Sequence, residues 1–452
     1  MTFEDTLAVW LQQQRWFAGK GRPLRDLAVV ADTELAAGEA GLRHLIVMVS
    51  HGTTADRYQV PVGLRAELPD WLEHARIGMA DDGRHAYDAL HDPALTRRIL
   101  HSIAAEETIG SLRFARIPRA DIEPDLDSIV LTAEQSNTSL VYGETSILKV
   151  FRRVSPGPNP DLEVTSALAG LGSSHVAEPF GWIETRMDGA TTTLAILSRY
   201  LRTATDGWSL AATSVRDLYA SELYASEGTS AADVGGDFSG EAHRLGAATA
   251  EVHRDLAEAF GVDELPPDAL RDMAEQMYRR LDLAAAAVPE LARYADMIGA
   301  AYSNLAKISE PVPAQRVHGD YHLGQVLRTQ TNWIVLDFEG EPASPLAQRR
   351  ARSSPMRDVA GMLRSFDYAA RYQLLTHPEA GRLRGVARDW IRRNGAAFAA
   401  GYAEAGGPAP AANEVLLHAL QLDKAVYEVM YEARHRPSWL PIPLESLADF
   451  CP

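Results

Sequence analysis

Val317-His318-Gly319-Asp320-Tyr321-His322-Leu323-Gly324-Gln325-Val326-Leu327, then Trp333-Ile334-Val335-Leu336-Asp337-Phe338-Glu339-Gly340-Glu341-Pro342, is the stretch of this sequence that decides its fold. Asp320 follows an apolar, strand-like lead-in and a His-Gly turn, and Gln325 lies five residues on. Catalytic loops for phosphoryl transfer use that separation to set a carboxylate against an attacking hydroxyl and an amide oxygen against a magnesium ion. Asp337 ends a run of four apolar residues, so its carboxylate is expected at a strand end, where a second magnesium ligand is needed. Taken singly, Asp320 also reads as a turn cap and Asp337 as an ordinary strand end. Together, at these spacings, they point to ATP- and Mg2+-dependent phosphotransfer, with Asp320 as base and Gln325 and Asp337 as metal ligands. His318 and His322 have no third His or Cys nearby, so they read as loop braces rather than zinc ligands; His322 is also placed among the acceptor-site residues.

Upstream, Lys149 sits inside Ile147-Leu148-Lys149-Val150-Phe151. A lysine flanked by apolar residues on a strand must snorkel out or meet an anion, and the ATP phosphates are the anion that the first motif demands. Glu163, on a helix announced by Pro160 and an acidic first turn, is the expected partner that orients it. Between two strands lies Glu134-Gln135-Ser136-Asn137-Thr138-Ser139. It reads equally as a phosphate-covering loop, with Ser136, Asn137 and Thr138 assisting ATP, and as a polar hairpin, because it lacks the glycines of a typical phosphate loop.

Strand-like runs recur through 93–201, at 128–131, 139–142, 146–151 and 193–197, and the chain then turns to Ala-rich helical periodicity at 241–260, 269–287, 294–308 and 388–404. One strand pair, flanking 315–337, is expected to interrupt it. The Ser/Gly/Ala/Asp-rich 226–240 reads as a loop. Residues 1–92 mix an amphipathic start (Leu7, Trp10, Leu11) with strand-like 45–49 and 58–62. The expected fold is therefore α+β and bilobal: a small α+β unit of its own (1–92), a β-rich part (93–201) and a mainly helical part (202–452) that holds a short catalytic hairpin, two lobes with a cleft between them.

In 423–434 and the following His435 to Pro443, helical spacing puts Tyr427, Tyr431 and Arg434 on one face and Lys424, Glu428 and Glu432 on another. Carboxylates, a basic group and aromatic planes suit a polyhydroxylated ligand; a solvated ion-pair face around a core Trp439 is an equal reading.

The 452 residues are 46% hydrophobic and 23% charged, with a formal net charge of −17 and no basic stripe, which argues against nucleic-acid or anionic-membrane partners. The single Cys451 has no internal disulfide partner, and no secretory signal or membrane-spanning run is evident; a cytoplasmic protein is expected.

The chain resembles the actinobacterial maltokinases, members of the aminoglycoside-phosphotransferase-like kinase superfamily. The likeness runs through Gln14-Arg15-Trp16-Phe17-Ala18-Gly19-Lys20, the 134–139 segment, Phe151-Arg152-Arg153-Val154-Ser155-Pro156-Gly157, 159–163, Ala204-Thr205-Asp206-Gly207-Trp208, the catalytic loop, 337–342, Ser354-Pro355-Met356-Arg357-Asp358-Val359-Ala360-Gly361-Met362-Leu363-Arg364-Ser365 and 427–443. The resemblance implies a bilobal, protein-kinase-like fold with an N-terminal cap subdomain (1–92), an intermediate subdomain completing the nucleotide-binding lobe (93–201) and a helical C-lobe (202–452), and ATP-dependent phosphorylation of maltose at its reducing-end C1 hydroxyl, giving maltose 1-phosphate for α-glucan synthesis. It also implies Asp320 as base, Gln325 and Asp337 on Mg2+, Lys149 on phosphate, and Glu428, Tyr431, Arg434 and Trp439 in the sugar pocket. Alternatives are an amino-sugar kinase acting on the C6 hydroxyl of glucosamine, with Glu428 or Glu432 as the extra acid, an aminoglycoside kinase, or a catalytically silent scaffold for a trehalose-converting enzyme. A monomer or homodimer fits each.

Overall fold

The computed structural model describes residues 2–20, 22–52, 54–131, 136–224, 236–341 and 344–450. Glu134, Gln135, Pro342, Cys451 and residues 226–235 of the expected 226–240 loop lie outside them. By contacts the chain divides into two units, Met1–Ser166 with Ala177–Arg202, and Ala167–Val176 with Thr203–Pro452.

In the first unit, helix α1 (Phe3–Gln13) opens with a capping box in which Thr2 and Asp5 bond reciprocally, and it buries Leu7, Trp10 and Leu11. Strands β1 (Asp26–Ala36), β2 (Ala40–His51), β3 (Thr54–Arg65), β4 (Arg76–Met79) and β5 (His85–Asp88) form an antiparallel sheet in the order β1-β2-β3-β5-β4. The continuous apolar run of β2 is explained by burial on both faces. Leu45, Val47 and Val49 pack with α1 and Trp16, while Leu42 and Ile46 join the cluster of Phe114, Leu148 and Leu194. That second cluster spans residues 35–197, so the cap and the strands after it share one core.

Helix α2 (Pro93–Ala104) starts on an Asp92 cap. Strands β6 (Thr108–Ile109), β7 (Leu112–Arg116), β8 (Ser128–Leu131), β9 (Thr138–Tyr142) and β10 (Ser146–Val150) follow, with β11 (Arg153–Val154) joining the first sheet. After helix α3 (Pro160–Gly170) come β12 (Pro179–Met187) and β13 (Ala190–Arg199), completing a second sheet in the order β6-β7-β12-β13-β10-β9-β8. Strand β12, hydrogen-bonded to β7 and β13, was not foreseen; its Gly181 and Glu184 break the apolar alternation that marks a strand.

In the second unit β14 (Thr205–Asp206) precedes helices α4 (Gly207–Tyr224) and α5 (Ser239–Phe260), strand β15 (Val262–Leu265), and helices α6 (Pro267–Ala287) and α7 (Ala295–Leu305). Next come β16 (Val312–Gln315), β17 (Val326–Arg328) and β18 (Trp333–Val335), then α8 (Leu346–Arg349), α9 (Met356–Tyr372), α10 (Ala380–Glu404), α11 (Glu414–His435) and α12 (Pro441–Asp449). The expectation of a single strand pair is corrected: β16 pairs with β15, and β17 pairs with both β14 and β18. Strand β15 is exposed along most of its length, so no apolar period announces it. Among the described residues, no helix is long and apolar enough to cross a membrane.

Candidate active site

The loop between β16 and β17 is held by one carboxylate from α9. Asp358, 1% exposed, accepts from the backbone N–H of His318 (2.7 Å) and of Gly319 (2.9 Å) and pairs with His253 Nε2 of α5 (3.0 Å). Tyr402 closes the far side of His253 at 2.9 Å. Burial pushes the Asp358 carboxyl up, but the hydrogen bond and charge of His253, the charge of His318 and the Gly319 N–H outweigh it and hold it below the ordinary value. Gly319 takes a φ of +85°, which only glycine adopts freely. Gly361 of α9 approaches so closely that a Cβ there would stand 2.5 Å from the Tyr321 carbonyl oxygen. The loop is thus clamped on both sides of Asp320.

His318 braces it as expected: its Nε2 lies 2.8 Å from the Leu336 carbonyl oxygen, while its Nδ1 accepts from the Asp320 N–H at 3.3 Å. His322 caps the short turn Leu323–Gln325 by accepting from the Gly324 N–H on Nδ1 at 3.1 Å. Burial lowers the His322 pKa from its ordinary 6.5, with the negative charge of Asp320 pulling the other way. A base with a depressed folded-state pKa contributes stability that is whole above about pH 6.5 and is lost as pH falls through the folded value. The melting temperature is therefore expected to drop on going from pH 7 to pH 5. His322→Asn, whose amide oxygen still caps Gly324, should flatten that slope; an unchanged slope in the variant refutes the assignment.

Gln325 and Asp337 meet: Gln325 Nε2 donates to Asp337 Oδ2 at 3.1 Å. Asp337 has a φ of +62°, the left-handed region that non-glycine residues rarely occupy. This follows the end of β18 at Val335 and the Leu336 N–H bond to the Gln325 carbonyl oxygen at 2.9 Å. Strain of this kind gathers at functional sites. The pairing through Nε2 leaves the Gln325 amide oxygen as a hard donor beside a carboxylate, a chemistry that fits Mg2+.

Asp320 and Lys424 of α11 are 3.5 Å apart, Asp320 Oδ1 to Lys424 Nζ. Both line a cavity of about 220 Å³ walled by Met273, Gln276, Met277 and Arg280 of α6, Glu341, Arg357 and Gly361, and Leu420, Asp423 and Tyr427 of α11. Its three carboxylates each face a cation: Asp320 with Lys424, Asp423 with Arg280 at 3.4 Å, and Glu341 with Arg357 at 3.7 Å. Burial, then the charge of Glu341 and a hydrogen bond to it, drive the Tyr427 phenol well above its ordinary pKa.

The other C-terminal residues expected in the pocket lie elsewhere. Glu428 turns inward to Arg364 at 2.6 Å, and burial pushes its carboxyl up. Glu432, 1% exposed, accepts from Tyr368 and from Arg436. Tyr431 is exposed and stacks against Tyr427 at 6.2 Å; Arg434 is exposed; Trp439 packs on Tyr372 and Arg436. None of these five lines the Asp320 cavity.

In the first unit, Lys149 of β10 reaches Asp161 of α3 at 3.1 Å. Asp161 stands two residues before Glu163 in the first turn of that helix, whose start is fixed by the Asn159 side chain accepting from the Asp161 N–H at 2.7 Å. Asp161 is not among the residues that the motif spacing singles out, although its first-turn position beside Glu163 is a signal for it. Ser136 is exposed and Asn137 half-buried. The Thr138 hydroxyl accepts from the buried Arg152 at 2.8 Å, and Arg152 in turn pairs with Asp88 and covers the ring of Trp16. Trp16 is thereby a core residue.

A family described as the maltokinase N-terminal cap domain matches residues 10–92. The glucosamine kinase of Streptacidiphilus jiangxiensis is 30% identical over 334 residues, 71% of this chain and 73% of that enzyme. That of Mycolicibacterium smegmatis is 28% identical over 322 residues, 69% and 77% of the two chains. Among solved structures, a glucosamine kinase in complex with glucosamine, ADP and inorganic phosphate matches over 100% of both chains, with a TM-score of 0.69 at 24% identity. The fold is thus that of a sugar kinase carrying an N-terminal cap. The chain belongs to the family that contains the Streptacidiphilus glucosamine kinase.

Proposed function

We propose that this chain is an ATP-dependent sugar kinase that phosphorylates maltose on its reducing-end C1 hydroxyl. The observation that carries the reading is the Asp320 cavity. Its volume of about 220 Å³ falls below the roughly 300–1,000 Å³ usual for drug-sized ligands, which argues against a bulky aminoglycoside. Its three carboxylates are matched by three cations, so it offers no net attraction to an ammonium group. Lys424, next to the base itself, repels one.

In this mechanism Asp320 accepts the proton of the sugar hydroxyl as that oxygen bonds to the γ-phosphorus and the bond to the β-phosphate oxygen breaks, leaving ADP and the sugar phosphate. Lys424, 3.5 Å from Asp320 Oδ1, holds that side chain in place. Lys149, oriented by Asp161, anchors the nucleotide phosphates. Gln325 and Asp337 would hold Mg2+, which supplies neutralisation of the charge on the phosphates.

The names of the relatives favour a second reading, in which glucosamine is phosphorylated at C6. A coupled ADP-release assay across maltose, glucosamine, glucose and aminoglycosides, with and without Mg2+, separates them. The expected result is Mg2+-dependent turnover greatest with maltose; a higher kcat/KM for glucosamine overturns the first reading in favour of the second.

A further inference from the structure

Of the two cavity carboxylates that the chemistry above does not use, Glu341 bonds to Tyr427 and faces Arg357, and the other is Asp423. It lies on α11, one turn before Tyr427 and beside Lys424, and its side chain is 14% exposed. Its Oδ1 is buried and accepts no hydrogen bond. Arg280 Nε stands 3.4 Å from that oxygen, close enough to balance its charge without the geometry of a hydrogen bond. Burial, opposed by Arg280 and Arg357, raises the Asp423 pKa above the ordinary carboxylate value.

An internal strut between α6 and α11 is expected to use the bidentate geometry that arginine and carboxylate readily form. Here the pair is long, and an under-satisfied buried carboxylate calls for a donor. Gln276, one turn before Arg280 on α6, adds an amide to the same wall, and Met273 and Met277 add an apolar surface. Acceptor, donor and apolar face side by side are what a neutral sugar ring requires.

We propose that Asp423 and Arg280 form a hydroxyl-reading subsite for the acceptor, Asp423 accepting from sugar O–H groups and Arg280 donating to a sugar oxygen. The ligand class is an uncharged, polyhydroxylated sugar, since Arg280 already balances the carboxylate. This rests on the reading of the Asp320 cavity as the acceptor site.

The test compares full-length wild type, Asp423→Asn and Arg280→Met in steady-state kinetics with maltose and with ATP, alongside melting temperatures and calorimetric titration of maltose. Expected is a rise of roughly 10- to 100-fold in the acceptor KM of both variants, the range of a charge-assisted hydrogen bond. The KM for ATP should stay unchanged and kcat should change much less. An unchanged acceptor KM in both variants of an active enzyme overturns the subsite, as does a loss confined to melting temperature. Calorimetry separates the two proposals: maltose that binds wild type but not Asp423→Asn, without turnover, sustains the subsite and overturns the kinase reading. Absence of maltose binding and turnover in wild type overturns both.

Discussion

Asp320→Asn is expected to lower kcat by roughly 10²- to 10⁴-fold, the span that a positioned general base contributes, while ATP affinity stays within about two-fold, because the base acts on the attacking hydroxyl in the transition state. Asparagine is chosen because it preserves shape and still offers an oxygen to Lys424, which stands 3.5 Å away. It cannot take the proton. The measurement is single-turnover phosphate transfer to maltose, paired with nucleotide titration by intrinsic fluorescence. A kcat within a factor of three of wild type removes Asp320 from the proton transfer. Equal losses in nucleotide binding and turnover reassign it to positioning. The neighbourhood makes the first outcome the expected one, since Gly319 and the turn capped by His322 fix the backbone on both sides of the aspartate.

The part of this site that could be read from the chain is the part made of neighbours in sequence. Gln325 and Asp337 flank one hairpin and Asp320 lies in the loop that leads into it, and the Gln325 to Asp337 contact of 3.1 Å follows from β17 pairing with β18. Spacing was enough there. Three strands of the first unit were legible for a similar reason: 128–131, 139–142 and 146–151 each show an apolar run between turn residues, and they pair as consecutive antiparallel neighbours.

What stayed hidden depends on which helix faces which. Periodicity correctly put Lys424 and Glu428 on one face of α11, yet one points at Asp320 and the other at Arg364 of α9. Nothing in the helix's own residues says where the neighbouring guanidinium lies, and a carboxylate turned toward a buried arginine is lost to the pocket. Arg280 and Asp423 were likewise invisible as a pair, because α6 and α11 lie far apart in the chain. Net charge gave no guide to the cavity either: the chain carries −17, while the cavity wall balances its acids with bases.

Asp358→Ala is expected to destabilise the chain by about 3–5 kcal/mol, since each buried donor left without its acceptor costs about 1–3 kcal/mol. Three donors converge on this one side chain, the N–H groups of His318 and Gly319 and the imidazole of His253. Alanine leaves all three in the interior without an acceptor. Because the two N–H groups belong to the loop that carries Asp320, turnover is expected to fall with stability. Asp358→Asn keeps one acceptor oxygen and separates the two effects, retaining more stability than alanine while losing the charge. The pH dependence has a definite sign. The folded-state pKa of Asp358 is depressed, so its contribution is whole above the ordinary value of about 3.8 and is lost as pH falls through the lower folded value. Urea unfolding at pH 7 and pH 3 measures both quantities. The Asp358→Asn variant should show a smaller loss of stability between those pH values than wild type. An alanine variant within about 0.5 kcal/mol of wild type, the range of an ordinary surface substitution, would mean that the clamp on the loop lies elsewhere.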